Sequence, residues 1–191
     1  MHIEVPPQAL DGPLVTLMHL GFADANALLA ALDAAREHIR GATDWAATIH
    51  DKNATKLLQG RIRSAFSARR EFHFGAYYHG QLIGACGYYL EGPWHAGQAE
   101  IGGWILPAFA RKGIARTTTK MLLQWGFEVW GFSRIFVRIP ADMTAALALV
   151  HGLGFRPEGV LVEAWDAVQG RAIDMHQLAM LAREWPSRQK N

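Results

Sequence analysis

Residues 99–119 read AEIGGWILPAFARKGIARTTT: an apolar, strand-like run stops at Pro107, a short loop follows, and Arg111, Lys112, Gly113, Ile114 and Ala115 open a helix. A helix N-terminus presents unpaired backbone N–H groups and the positive end of the peptide dipoles, so such a junction can hold an anion, a diphosphate for example. Gly113 lets the backbone come close, and Arg111, Lys112 and Arg116 bring three positive charges to the same place. The spacing matches neither G-x-x-x-x-G-K-[ST] nor G-x-G-x-x-G. Ordinary capping of a basic helix start is the plainer alternative.

Glu100 is a carboxylate inside this otherwise apolar run. Partial burial would raise its affinity for a proton toward the range of a general base acting directly or through water. The alternative is a structural carboxylate satisfied by main chain or by an arginine. His73 and His95 are second-rank bases. Cys86, between Ala85 and Gly87, reads as a buried inert thiol rather than a nucleophile. The nine histidines show no H-x-x-x-H or H-E-x-x-H spacing, so no metal site is expected.

These groups need a scaffold, and the chain supplies its signals in order. Residues 1–13 carry Pro6, Pro7, Gly12 and Pro13 and read as an extended arm before a first strand near 14–20. A helix follows over 25–40, with Asp24 placed to cap it and Gly41 to end it. Residues 53–70 place Ala54, Leu57, Leu58, Ile62, Ala65 and Phe66 at helical spacings. Between Asp51 and Glu71 lie Lys52, Lys56, Arg61, Arg63, Arg69 and Arg70 with no acid among them, either a solvated face or a guide for an acidic substrate or ribosomal RNA. Aromatic and β-branched runs at 71–78 and 82–90, split by His79-Gly80, predict a hairpin, and residues 98–106 a further strand. Then come a helix over 114–129, a strand over 134–139, a helix from Asp142 to about His151, and two strands at 155–167 and 172–182. The order predicts one α/β domain with a mixed sheet of about seven strands flanked by helices.

Composition narrows the function. The chain has 191 residues, half of them apolar, and 19 Lys plus Arg against 17 Asp plus Glu leave a net charge of +2. That supports a globular core and argues against nucleic-acid binding by bulk charge. One cysteine excludes an internal disulfide and fits a reducing cytoplasm. No run approaches the roughly 18 apolar residues of a membrane span, and the first dozen residues lack the features of a secretory signal. A cytoplasmic protein is expected.

Taken in order, A-E-I-G-G-W-I-L-P at 99–107, K-G-I-A at 112–115, R-I-F-V-R-I-P at 134–140, G-L-G-F-R-P-E-G-V-L at 152–161 and D-M-H-Q-L-A-M-L-A-R-E-W at 174–185 resemble the GCN5-related N-acetyltransferases. Within that superfamily (GNAT) the likeness is to the RimJ/RimL ribosomal-protein N-terminal acetyltransferase branch. H-I-R at 38–40 before Trp45 and G-Q-L-I-G at 80–84 agree more loosely.

The resemblance implies a single acyltransferase domain over 1–191 that uses acetyl-CoA, with the sheet splayed between its fourth and fifth strands. The main chain of Trp104, Ile105 and Leu106 would pair with the pantetheine arm, and the diphosphate would lie over the backbone of residues 111–116. A neutral amine would attack the thioester directly; the acceptor is a protein N-terminus or a small-molecule amine. Trp45, Trp94 and Trp165 would line the acceptor pocket or pack the core. The basic segment 52–70 would contact the ribosome, and a homodimer is open. Two departures stand out. Ala110 occupies the position of the loop's usual Gln or Arg, and Met143, Ala146 and Val150 stand where relatives place Asn, Ser and Tyr. None of the three can donate a proton to a leaving thiolate, which leaves open a non-catalytic acyl-CoA sensor; a longer donor such as succinyl-CoA is a further alternative. His151 points about 100° away from residue 150 on a helix.

Overall fold

The computed structural model describes residues 8–39, 49–90, 97–167 and 171–185. Its frame is one mixed sheet of β1 (Ala9–Asp11), β2 (Thr16–His19), β3 (Glu71–Tyr78), β4 (Gln81–Tyr89), β5 (Gln98–Ile105), β6 (Arg134–Pro140), β7 (Arg156–Ala167) and β8 (Arg171–Leu181). Their spatial order is β1-β2-β3-β4-β5-β6-β8-β7. That is eight strands where about seven were expected. The addition is β1, which lies in the stretch expected to be an extended arm: residues 9–11 pair antiparallel with 16–18 after a turn in which Gly12 N–H donates to Val15 O at 3.0 Å.

Among the described residues four α-helices cover the sheet. Asp24 caps α1 (Ala25–Ile39) by accepting from Asn26 and Ala27 N–H at 3.0 and 2.9 Å. Asp51 does the same for α2 (Lys52–Ser67) toward Asn53 and Ala54. The α2 helix stops at Ser67 rather than running to residue 70. Arg69, with φ +56°, and Arg70 lie in the turn to β3, so the basic segment 52–70 is a helix plus a turn. After α3 (Ile114–Gln124) the chain widens into a π turn over Trp125–Val129, where sequence periodicity predicts continuous α-helix. In α4 (Thr144–Leu153) the Asp142 side chain makes no cap; only its carbonyl takes part, accepting from Thr144 N–H at 2.9 Å. Gly154, φ +94°, ends the helix in the left-handed conformation that suits glycine.

The alternation of β-strand side chains makes two cores. On one face Phe72, Phe74, Tyr88, Ile101, Ile135 and Val137 pack with Ile114, Leu122 and Leu123 of α3 and Val150 of α4. On the other, Leu82, Ala85, Trp104 and Leu106 lie with Leu28, Leu32, Leu58 and Ile62 of α1 and α2. Tyr88 is fully buried, and its hydroxyl donates to Leu122 O beside the passage from α to π.

One seam in the sheet differs from the rest. β5 and β6 are its only parallel neighbours among the described strands, and they pair only from Gln98↔Arg134 to Glu100↔Phe136. Beyond Glu100 the two strands part, although β6 stays paired with β8 along its whole length. The splay between the fourth and fifth strands expected from sequence is this divergence, counted without β1.

Candidate functional site

The gap beyond Glu100 is lined by backbone. Leu106 N–H donates to Ile83 O of β4 at 2.8 Å, and the β4–β5 register continues unshifted from Gly84↔Ile105 to Tyr89↔Glu100. In an antiparallel pair, successive residues turn their N–H and C=O groups alternately toward and away from the partner. Leu106, Trp104 and Gly102 therefore address β4, and Ile105, Gly103 and Ile101 address the gap. Of the three residues expected to meet a pantetheine arm, only Ile105 turns its main chain that way. Gly103 and Ile101 were not anticipated, because ladder parity cannot be read from residue types.

The gap runs into the turn that opens α3. Leu106 ends the strand, Pro107–Phe109 make one 3-10 turn, and Ala110 is extended. Arg111 (φ +62°) and Gly113 (φ +77°) both take the left-handed conformation, which folds the backbone sharply before α3. The ladder of α3 begins with Thr117 N–H donating to Gly113 O at 2.9 Å. The amides of Ile114, Ala115 and Arg116 stand ahead of that first bond, while the Ile114 side chain is buried and anchors the turn. Lys112 Nζ lies 5.0 Å from the Phe109 ring centroid, and Arg111 is exposed. Arg116 donates to Gly152 O at 3.2 Å, so part of its charge goes to the C-terminal end of α4. The donor set suits a diphosphate: backbone N–H groups first, cations around them.

At the closed end of the gap, Glu100 is the last paired residue of the seam. Both its carboxylate oxygens accept from Arg138, Nε at 3.0 Å and Nη2 at 2.5 Å, and this bond pushes the Arg138 guanidinium above its usual range. Arg138 was missed in the sequence, because nothing there shows that β6 lies beside β5. On the same face His73 Nε2 lies 2.6 Å from Glu71 Oε2, and the His73 ring meets the Tyr89 ring edge-on at 5.2 Å. Burial first, then Glu71 and Glu100, push the Tyr89 hydroxyl above its ordinary range.

The remaining expected residues fall as follows. Trp45, Trp94 and His95 lie outside the described residues. Trp165 sits opposite Ile173 on the outer hairpin, half-buried, its indole N–H buried without a partner among the described residues; the buried indole N–H of Trp104 likewise has none among them. Val150 is buried in the core, and Met143 and Ala146 pack against it, so the three positions that lack catalytic side chains serve packing. His151 is exposed and gives its carbonyl to Gly154 N–H. Among the described residues no His, Cys, Asp or Glu group of three is placed to hold a metal, and no helix is long and apolar enough to cross a membrane.

Burial pushes the Cys86 thiol up to about 12, which keeps it protonated near neutrality. At pH 8 iodoacetamide is expected to modify Cys86 only after denaturation, as read by mass spectrometry, and Cys86→Ala to retain activity. Rapid labelling of the native protein would contradict the buried placement.

An open mixed sheet, a three-residue parallel seam and a helix N-terminus at the mouth of the resulting gap define an acyl-CoA transferase fold. A model of the Acetyltransferase (GNAT) domain matches residues 15–156, and the chain belongs to that family. Among curated proteins, the uncharacterized N-acetyltransferase p20 of Bacillus licheniformis is 30% identical over 105 residues, 55% of this chain and 58% of that protein. The uncharacterized N-acetyltransferase YoaA of Bacillus subtilis (strain 168) is 36% identical over 81 residues, 42% of this chain and 45% of that protein. The chain thus spans about half the length of the curated relatives it matches. Among solved structures, Mycobacterium smegmatis RimJ in complex with CoA-disulfide superposes with a TM-score of 0.82 at 23% identity, covering 93% of this chain and 88% of that one. The microcin C7 self-immunity acetyltransferase MccE, in complex with acetyl-CoA and AMP, gives 0.82 at 18%, covering 93% and 98%. At these identities the likeness shows the fold.

Proposed function

We propose that the protein transfers acetyl from acetyl-CoA directly to a primary amine, with a protein or peptide N-terminus as the first acceptor to test. The observation that carries this is continuity: an unpaired strand edge formed by Ile101, Gly103 and Ile105 leads through Pro107 into the N–H groups opening α3. A thioester arm needs such an edge, and its diphosphate needs such a helix start. CoA and acetyl-CoA bound to the structural neighbours RimJ and MccE support the donor, and RimJ and RimL among the neighbours support the acceptor.

In this reading Ile101, Gly103 and Ile105 hold the arm, residues 111–116 hold the diphosphate, and the amine approaches at the seam's closed end beside Glu100. The carboxylate draws the ammonium there or takes its proton. Glu100→Gln is expected to lower kcat/KM for the acceptor about tenfold, the loss of one charge-assisted hydrogen bond, with acetyl-CoA affinity unchanged; an unchanged rate removes Glu100 from the mechanism. Lys52, Lys56 and Arg61, exposed on α2, are the surface we assign to a ribosomal partner.

A second reading rests on Met143, Ala146 and Val150, whose packing roles leave no evident proton donor for the thiolate: a domain that binds acyl-CoA without turnover. Tryptophan fluorescence during titration with acetyl-CoA tests the donor, and no response at millimolar concentration rejects both readings. Thiol release across N-terminal peptides and small amines, with acetyl-CoA and succinyl-CoA, then separates enzyme from sensor and finds the acceptor.

A further inference from the structure

Arg138 reaches across the gap. Glu100 lies beside Phe136 in the last pair of the seam, and Arg138 stands further along β6 on the same side of the sheet, where the strands have already parted. Its guanidinium nevertheless comes back to both oxygens of Glu100 on β5. The ion pair therefore bridges the two strands over their point of divergence. It is also reached from solvent. The core built with α1 and α2 takes in Trp104 and Leu106 of β5 but no residue of β6, and the Arg138 side chain keeps 47% of its surface where Glu100 keeps 17%.

The pair is not saturated. Glu100 takes one N–H from Nε and one from Nη2, which leaves the N–H groups of Nη1 and the second N–H of Nη2 without an acceptor among the described residues. A carboxylate oxygen has two lone pairs, so each oxygen of Glu100 can accept again. No neighbouring acid competes for the open N–H groups. Glu158 is taken by Arg134 and by Gln177, the residue opposite Arg138 on β8, and the Arg134 guanidinium lies over the Phe136 ring. An open donor and an open acceptor thus adjoin at the place where the amine arrives.

We propose that Arg138 is a specificity-determining residue for the acceptor: its open N–H groups receive the oxygen of a carbonyl or carboxylate next to the amine-bearing carbon while Glu100 receives the ammonium, so that the pair selects α-aminoacyl groups over alkyl amines. The assignment rests on the acetyltransferase reading above and narrows its acceptor. In an α-aminoacyl group the nitrogen and the carbonyl oxygen are joined through two carbon atoms and lie about 3 Å apart. That is the scale of the 2.5 Å corner between Glu100 Oε2 and Arg138 Nη2. The charges then meet head to tail, ammonium on carboxylate and carbonyl oxygen on guanidinium. An alkyl amine satisfies Glu100 alone. It displaces water from the guanidinium and returns no acceptor to it. A peptide N-terminus and a free amino acid both carry the required group.

The test compares thiol release with two amines of similar size, alaninamide with the carbonyl and 2-aminobutane without it. Arg138→Gln is expected to lower kcat/KM for alaninamide about 30-fold more than for 2-aminobutane, the loss of one hydrogen bond from a charged donor. The difference in basicity between the amines is the same in both proteins and cancels in that comparison. Arg138→Lys should recover part of the discrimination, since the charge stays and the planar fork is lost. A pair that only ties β5 to β6 would slow both amines alike. Equal losses for the two amines in Arg138→Gln, or in Arg138→Lys should Arg138→Gln fail to fold, overturn the assignment. Alanine and alanylalaninamide then tell an amino acid from a peptide N-terminus, and whichever is faster must lose rate in Arg138→Gln as alaninamide does, or the assignment falls. Absence of thiol release by the unmodified protein with every amine overturns the acetyltransferase reading, and this assignment with it.

Discussion

Gly113→Val is expected to weaken acetyl-CoA binding by about 30-fold, the loss of one or two charge-assisted hydrogen bonds, while the domain stays folded. Gly113 sits at φ +77°, and a Cβ built on it would meet nothing nearer than Leu14 Cδ1 at 3.9 Å. Space is therefore available, and the penalty is conformational, about 1–2 kcal/mol for a residue forced into the left-handed region. A β-branched residue relieves that strain by rotating the backbone, and the N–H groups of residues 113–116 turn with it. Fluorescence titration reads the affinity, and a thermal melt reads the small loss in stability. A lower melting temperature with unchanged affinity would place the diphosphate away from this turn. Gly113→Ala should show the same pattern at smaller amplitude.

Proline at neighbouring positions of β5 is expected to have opposite consequences. Trp104 directs its N–H to β4, so Trp104→Pro breaks the ladder inside the sheet and removes a buried indole, losses of about 3 kcal/mol or more each that together approach the total stability of a typical domain. Ile105 directs its N–H into the gap. Ile105→Pro leaves the bonds of β4 in place and deletes only a donor that faces the gap, as proline is tolerated on the open side of an edge strand. It should fold, bind acetyl-CoA about five- to tenfold more weakly for one lost hydrogen bond, and show a melting temperature that acetyl-CoA raises less than in the parent. If Ile105→Pro unfolds and Trp104→Pro does not, the strand has the opposite parity, and the gap is lined by Gly102 and Trp104 instead.

Local order carried most of what the sequence revealed about the fold. Asp24 before an Ala- and Leu-rich run, His79-Gly80 between aromatic runs, and Pro107 after a strand each act within a few residues, and each does in the structure what its chemistry dictates. Failures occurred where a distant partner decides. Residues 9–11 contain too little apolar pattern to announce a strand, and become one only because β2 offers an edge. The π turn at 125–129 falls where a Cβ on Gly126 would run into the side chains of Ile135, Phe132 and Tyr88, a close approach made by residues outside the helix. The site divides in the same way. Gly113 and its flanking cations were legible because a helix start is a local object. Arg138 and Glu71 were not, since an arginine on β6 and a glutamate on β3 reach the site only through lateral pairing.

The short seam also bears on how the chain assembles. On one side of it, β1 to β5 form a run of antiparallel neighbours, most of them joined by short connections; on the other, β7 and β8 form a hairpin that accepts β6 along β8. Closing a short loop costs little chain entropy, so these two meanders assemble from largely local contacts. Joining them requires the crossover through α3 to be closed for the sake of only three residue pairs. The seam thus returns few backbone bonds for a long closure, and α3, whose Ile114, Leu122 and Leu123 share one core with Ile101 on β5 and Ile135 on β6, favours joining the two halves. The helix that presents the candidate anion site is in this sense also the fastener of the fold.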